Sequence, residues 1–183
     1  MIILLSLSHS ILRQPMVEIV KEKRLSETRS QKTSRQFPGD EYQKITSSLE
    51  QVPESTVNGD FDGLVAESLP EYEFEWDAKS GRNPKTMLWY PEFNHSVDLY
   101  HPEKRIAIEI EKAQRKRISD DILKFIRGGK TRDGGRDLIE FGCLIVPAEH
   151  PEYGNLFQHS ITTLEFMRSV LHVEDIAVIG YRS

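Results

Sequence analysis

Asp98, Glu109 and Glu111 are the residues of this chain best spaced for shared chemistry. Residues 96–100 and 105–111 alternate as two short strands joined by a turn at 101–104. A symmetric turn sets Asp98 opposite Ala107. Asp98, Ala107, Glu109 and Glu111 then share one face, and Ile106, Ile108 and Ile110 the other. Asp98 and Glu109 become diagonal neighbours about 7–8 Å apart by Cα, and Glu109 and Glu111 stand about 6.6 Å apart along the strand. Three carboxylates with no Cys or His beside them are hard oxygen donors, suited to Mg²⁺ or Mn²⁺ rather than zinc. A solvated strand face would carry the same glutamates. The run at 138–146 favours the ion: it is nearly all apolar, as in a strand covered on both faces. Carboxylates gathered near a covered sheet lose hydration at a cost that a cation offsets.

Charge of the opposite sign follows. Residues 112–136 hold nine basic side chains (Lys112, Arg115, Lys116, Arg117, Lys124, Arg127, Lys130, Arg132, Arg136) against three acidic ones, a local balance of +6. A polyanion lying along that surface would bring a phosphodiester to the carboxylates.

The elements that must hold these groups are legible in outline. Residues 119–127 read as a helix, with Ser119 as N-cap, Asp120 and Asp121 at its positive end, and Ile118 stapled against Leu123. Ile122, Phe125 and Ile126 form its buried stripe, and Gly128-Gly129 ends it. A Gly-rich basic loop at 130–136 leads to the apolar strand, which contains Cys143. Strand–helix–strand over 105–146 implies parallel pairing, hence an α/β fold with a mixed sheet. Further helices fit 40–52, 60–69 and 155–171, and strands fit 17–23, 72–76 and 176–179. Residues 26–40 have no period and read as a loop or a basic arm, so 1–40 is taken as an N-terminal extension and 41–183 as the domain. The apolar start at 1–7 lacks a basic flank and a cleavage site, and Met16 offers an alternative start.

Composition narrows the class. The chain has 183 residues and a net charge of -5, which excludes a wholly basic nucleic-acid coat. Its single cysteine excludes a disulfide framework and Cys-based zinc modules. No run approaches the ~18 apolar residues of a membrane span, so a cytoplasmic protein is expected. Gly128-Gly-Lys-Thr131 follows a helix and lacks the first glycine of a phosphate-binding loop, so no nucleotide cofactor is expected.

The landmarks Asn94-His-Ser-Val-Asp98-Leu, Ile-Ala-Ile-Glu109-Ile-Glu111-Lys112, Asp121-Ile-Leu-Lys-Phe125 and Phe141-Gly-Cys-Leu-Ile-Val-Pro147 together resemble the PD-(D/E)xK nuclease superfamily. Within it they are most similar to type II restriction endonucleases of the BamHI/BglII group, over about residues 60–150. The resemblance implies a restriction-endonuclease-like mixed sheet flanked by helices. It also implies a Mg²⁺-dependent site-specific endodeoxyribonuclease acting on double-stranded DNA as a homodimer. Asp98 and Glu109 correspond to metal ligands. Glu111 falls where most members carry lysine, a departure the BamHI/BglII group tolerates, and it would act as general base or hold a second ion. Glu67 is the candidate for a further carboxylate from an upstream helix, with Glu50 as alternative. Lys112, Arg115, Lys116, Arg117, Lys130 and Arg132 would contact DNA. A repair or recombination nuclease of the same fold, or an inactive DNA-binding relative, are the rival readings.

Overall fold

The apolar runs of the second half fold into the middle of a six-stranded mixed sheet. The computed structural model describes residues 14–28, 35–57, 59–77, 81–82, 87–90 and 93–182, with backbone alone over 76–94. Its elements are β1 (Ile19–Arg24), α1 (Gly39–Leu49), α2 (Phe61–Ser68), β2 (Glu73–Phe74), β3 (Trp76–Asp77) and β4 (Gly81–Arg82). There follow β5 (Met87–Tyr90), β6 (Phe93–Ser96), β7 (Leu99–His101), β8 (Ile106–Ile110) and α3 (Arg115–Lys130). The chain ends with β9 (Arg132–Asp133), β10 (Arg136–Asp137), β11 (Phe141–Pro147), α4 (Leu156–Phe166) and β12 (Asp175–Tyr181). The segment 1–7, the basic residues Arg29 and Lys32, and the side chains of Trp76 and Trp89 lie outside the described residues.

The main sheet runs β1-β12-β11-β8-β7-β2. β11 pairs parallel with both β8 and β12, so the strand–helix–strand passage is the expected parallel unit. All seven residues of β11 are buried, as its unbroken apolar run implies. Two helical layers explain why. On one face Tyr42 and Ile45 of α1 and Phe61 and Val65 of α2 pack on Ile106, Ile108 and Ile110. On the other, Ile118, Ile122 and Phe125 of α3 and Leu156 and Ile161 of α4 pack on Ala107, Leu144 and Val178. The α/β class and the opposite facing of the three isoleucines and Ala107 therefore hold.

Several local expectations give way to tertiary packing. The β7–β8 turn is Pro102–Arg105 rather than 101–104, because Arg105 takes the left-handed conformation (φ 56°) and donates its N–H to the His101 carbonyl at 2.8 Å. The register moves by two, to His101 opposite Ile106, so every side chain keeps its face. The helix expected at 119–127 runs from Arg115 to Lys130, with Gln114 at its N-cap; Ser119 lies inside it and Leu123 is exposed. Gly128 and Gly129 continue that helix. A Cβ at Gly128 would run into the Ile139 side chain, and one at Gly129 would crowd the backbone of His172 and Val173 at 3.1 Å. These glycines permit close packing and do not stop the helix. The basic loop at 130–136 is a two-residue hairpin, β9–β10, whose Gly134 and Gly135 both have positive φ (58° and 84°). The N-terminal segment is tied down in part. β1 pairs antiparallel with β12, and Asp175 accepts from the backbone N–H of Ser26 (2.8 Å) and of Phe37 (3.0 Å).

Candidate active site

At the carboxyl end of β8 the two helical layers part, and the sheet opens into a cleft of about 280 Å³. Asp62, Asp98, Glu109, Glu111, Lys112, Arg117, Asp121 and Lys124 line it, together with the 110 and 113–114 backbone. The last pair of the shifted register is Leu99 with Ile108, and continuing it one step brings Asp98, just before β7, toward Glu109. Asp98 Oδ2 accepts the Ile110 N–H at 2.7 Å, which fixes the carboxylate at the strand end. Burial pushes the Asp98 carboxyl up to about 7, against the pull of that N–H.

Glu109 is 1% exposed. Its Oε2 accepts from Lys124 Nζ at 2.8 Å, and its Oε1 is buried without a hydrogen-bond partner. Burial first, then the facing Asp98 carboxylate, raises the Glu109 carboxyl well above the usual range. Glu111 behaves differently. Its Oε1 accepts the N–H groups of Ala113 and Gln114, both at 2.8 Å, and so closes the turn that starts α3, while its Oε2 lies 3.6 Å from Arg117 Nε. Asp98, Glu109, Glu111 and Asp121 thus share one cleft, but no three of them close within 4.8 Å of one another as a ligand set.

Three lining residues, Asp121, Lys124 and Asp62, are not among the site residues the sequence suggests. Arg117, Asp121 and Lys124 recur at i, i+4 and i+7 on α3, one face of the helix. In the sequence Asp121 reads as a complement to the helix dipole and Lys124 as one charge of a basic run, both within the landmark 121–125, with no role in the site assigned to either. Burial also raises the Asp121 carboxyl. For Lys124 burial works in the lowering direction, but Glu109 and Asp121 outweigh it and hold the ammonium above its ordinary value. The third is Asp62, in the first turn of α2, whose Oδ2 meets Lys112 Nζ at 3.1 Å while its Oδ1 is buried and unpartnered. Glu67, the expected helix carboxylate, is exposed and lies outside the cleft, as does Glu50 at the end of α1. An i+5 step along α2 turns Glu67 well away from the face that carries Asp62.

The basic run is divided by the length of α3. Arg115, Lys116 and Arg117 are exposed at its N-terminus, beside the cleft. Lys130 and Arg132 sit at its far end, roughly 20 Å away at 1.5 Å per residue. Arg132 pairs with Asp137 at 3.0 Å. A second acidic group, Glu41, Glu71 and His101, brings ligand atoms within 4.8 Å of one another. There, Glu41 already receives Lys44 (3.1 Å), Lys104 and the Tyr72 hydroxyl (2.8 Å), so the protein's own cations fill the place of an ion.

The donor set in the cleft fits a hard divalent cation. It is all oxygen, one oxygen of Glu109 is buried and unpartnered, and a single ammonium, Lys124, meets both Glu109 and Asp121. Among the described residues, no helix is long and apolar enough to cross a membrane.

Comparison with known proteins agrees with this architecture. The structure resembles a crystal structure of restriction endonuclease BglII complexed with a DNA 16-mer. The TM-score is 0.58 at 10% identity, covering 90% of this chain and 77% of that one. At that identity the likeness establishes the restriction-endonuclease fold. Among curated proteins, none matches the sequence significantly. A family profile described as "Putative halobacteria restriction endonuclease" matches residues 17–181, nearly the whole described chain, and the protein belongs to that restriction-endonuclease family.

Proposed function

We propose that the protein is a Mg²⁺-dependent endonuclease of the type II restriction class, hydrolysing phosphodiester bonds of double-stranded DNA at a specific site. The observation that carries this reading is the convergence of Asp98 and Glu109 on one cleft, where Glu109 keeps a buried oxygen without a partner, beside the basic start of α3. Asp98 and Glu109 would hold the ion, Mg²⁺ or Mn²⁺. When bound, such an ion supplies Lewis-acid charge to the scissile phosphate. Glu111, anchored through Oε1, presents Oε2 to take the proton of the attacking water. Arg115, Lys116 and Arg117 stand where the helix dipole already favours anions, and they would seat phosphates. Lys112 is engaged by Asp62 and contributes charge to the cleft wall. Lys130 and Arg132 would meet the same duplex only about six base pairs further on. Cutting both strands of a symmetric site calls for two clefts related by a two-fold axis, hence a homodimer.

The direct test is to incubate the purified chain with plasmid DNA and Mg²⁺ and sequence the fragment ends. Discrete fragments sharing one end sequence are expected, and Asp98→Ala should abolish them while the protein still binds DNA. Ends without a common sequence would indicate a nuclease that reads DNA shape. No cleavage with either Mg²⁺ or Mn²⁺ would overturn the proposal.

A further inference from the structure

We infer that Asp121, and not Glu111, supplies the third carboxylate of the cation site, and that Lys124 is a resident counter-ion bridging Glu109 and Asp121 until a divalent ion displaces it. This rests on the proposed nuclease reading and assigns roles within the same cleft. Lys124 Nζ lies 2.8 Å from Glu109 Oε2 and 3.1 Å from Asp121 Oδ1. That places one ammonium between two carboxylates from different elements, a strand end and a helix face. Asp98 lines the same cleft, so a single charge serves three acids. Glu109 Oε1, buried and unpartnered, is the independent mark of a missing ligand.

Glu111 is committed elsewhere, since two backbone N–H groups hold its Oε1 and set the start of α3. Turning it to an ion would uncap that turn. Asp121 lies one helical turn before Lys124 on a rigid helix, with its carboxylate already in the cleft. Lys124 has the means to leave. Its side chain is 16% exposed, and its four-carbon stem can carry the ammonium to water without moving the helix. A divalent ion offers the same oxygens twice the charge.

Calorimetric titration of Mn²⁺ into the full chain, without DNA, tests the assignment. Asp121→Asn should weaken Mn²⁺ binding tenfold or more, Glu111→Gln should stay within threefold of wild type, and Lys124→Met should tighten binding at least threefold. Loss of binding in Glu111→Gln with retention in Asp121→Asn would overturn this inference and leave the nuclease reading standing. Weaker binding in Lys124→Met would overturn the counter-ion role. A wild-type protein that binds no Mn²⁺ at all would overturn the nuclease reading first. If Asp121→Asn fails to fold, ¹⁵N NMR of the wild-type lysine ammonium groups decides. The Lys124 signal should shift as Mg²⁺ saturates the site, and an unmoved signal would refute displacement.

Discussion

Glu41 and Glu109 are the same residue type, each buried against the central sheet, and the chain treats them in opposite ways. Glu41 is met by Lys104, the Tyr72 hydroxyl and Lys44, and although burial raises its carboxyl, these partners outweigh it and hold it below the ordinary range. Glu140 is handled like Glu41: Arg136 Nε at 2.7 Å, with Arg35, keeps it low. Glu109 has one ammonium, one bare oxygen and another carboxylate opposite, and its proton affinity rises. A buried acid neutralised by the protein's own cations closes the fold. An under-compensated one is where an added cation gains most. The contrast shows that acidic clustering alone does not mark a site here, because Glu41, Glu71 and His101 are the tighter cluster and are already satisfied.

The sharpest way to break this contrast is to neutralise each glutamate in turn. Glu109→Gln should lower the cleavage rate in Mg²⁺ by a factor of about 10³ or more, equivalent to roughly 4 kcal/mol of transition-state stabilisation. DNA affinity, measured by gel shift, should stay within about threefold. The metal-free variant should be no less stable than wild type, since an isosteric amide removes a charge for which burial and the Asp98 carboxylate outweigh Lys124. Glu41→Gln should do the reverse. It should cost about 2 kcal/mol in urea unfolding, because it removes the buried charge that Lys44 and Lys104 approach and puts an amide NH₂ where one carboxylate oxygen accepted, and it should leave cleavage unaltered. Equal unfolding midpoints for the two variants would erase the distinction.

How far the sequence foretold this depends on the range of the forces involved. Period-two alternation placed Asp98 and Glu109 on one face even though the turn was misjudged, because a register error of two residues preserves facing. The unbroken apolar run at 141–147 announced a strand covered on both sides. Glycine misled: Gly128 and Gly129 look like residues past a helix end, yet they are helical, in the last turn of α3, where Ile139 leaves no room for a Cβ at Gly128 and Val173 crowds one at Gly129. Local spacing could not reveal that Glu111 would bond the backbone ahead of it, or that Asp62 of α2 and Lys124 of α3 would meet at the same cleft. Those facts belong to the packing of two helical layers at the carboxyl end of one central strand.

The titration of the two regions should differ in sign. A folded Asp98 holds its proton to about pH 7, whereas an unfolded aspartate loses it near 4. Between those values the folded state binds more protons than the unfolded one, so this group's contribution to stability is full below about pH 4 and is lost as pH rises through 7. Glu41 and Glu140, held low, contribute stability above the ordinary glutamate range and lose it as pH falls through their depressed values. Thermal unfolding of the metal-free chain should therefore show a melting temperature that declines from about pH 5 to 7.5. Asp98→Asn should flatten that limb, and saturating Mg²⁺ should remove it. An Asp98→Asn profile parallel to that of the wild type would mean that Asp98 feels no net burial.

The smallest effects should distinguish the two ends of α3. Arg115, beside the cleft, and Lys130, roughly 20 Å away, carry the same charge and are both exposed. If DNA is seated by the helix start, Arg115→Ala should reduce the slope of log affinity against log salt by about 1 and weaken binding severalfold at low salt. Lys130→Ala should change the slope by less than half as much. Its phosphate would lie about six base pairs from the scissile bond, where a short duplex no longer reaches. Shortening the probe sharpens the comparison: on a duplex of about ten base pairs the Arg115 effect should persist while the Lys130 effect disappears. Equal slopes on both probes would mean that the duplex runs along the whole helix rather than being held at its start.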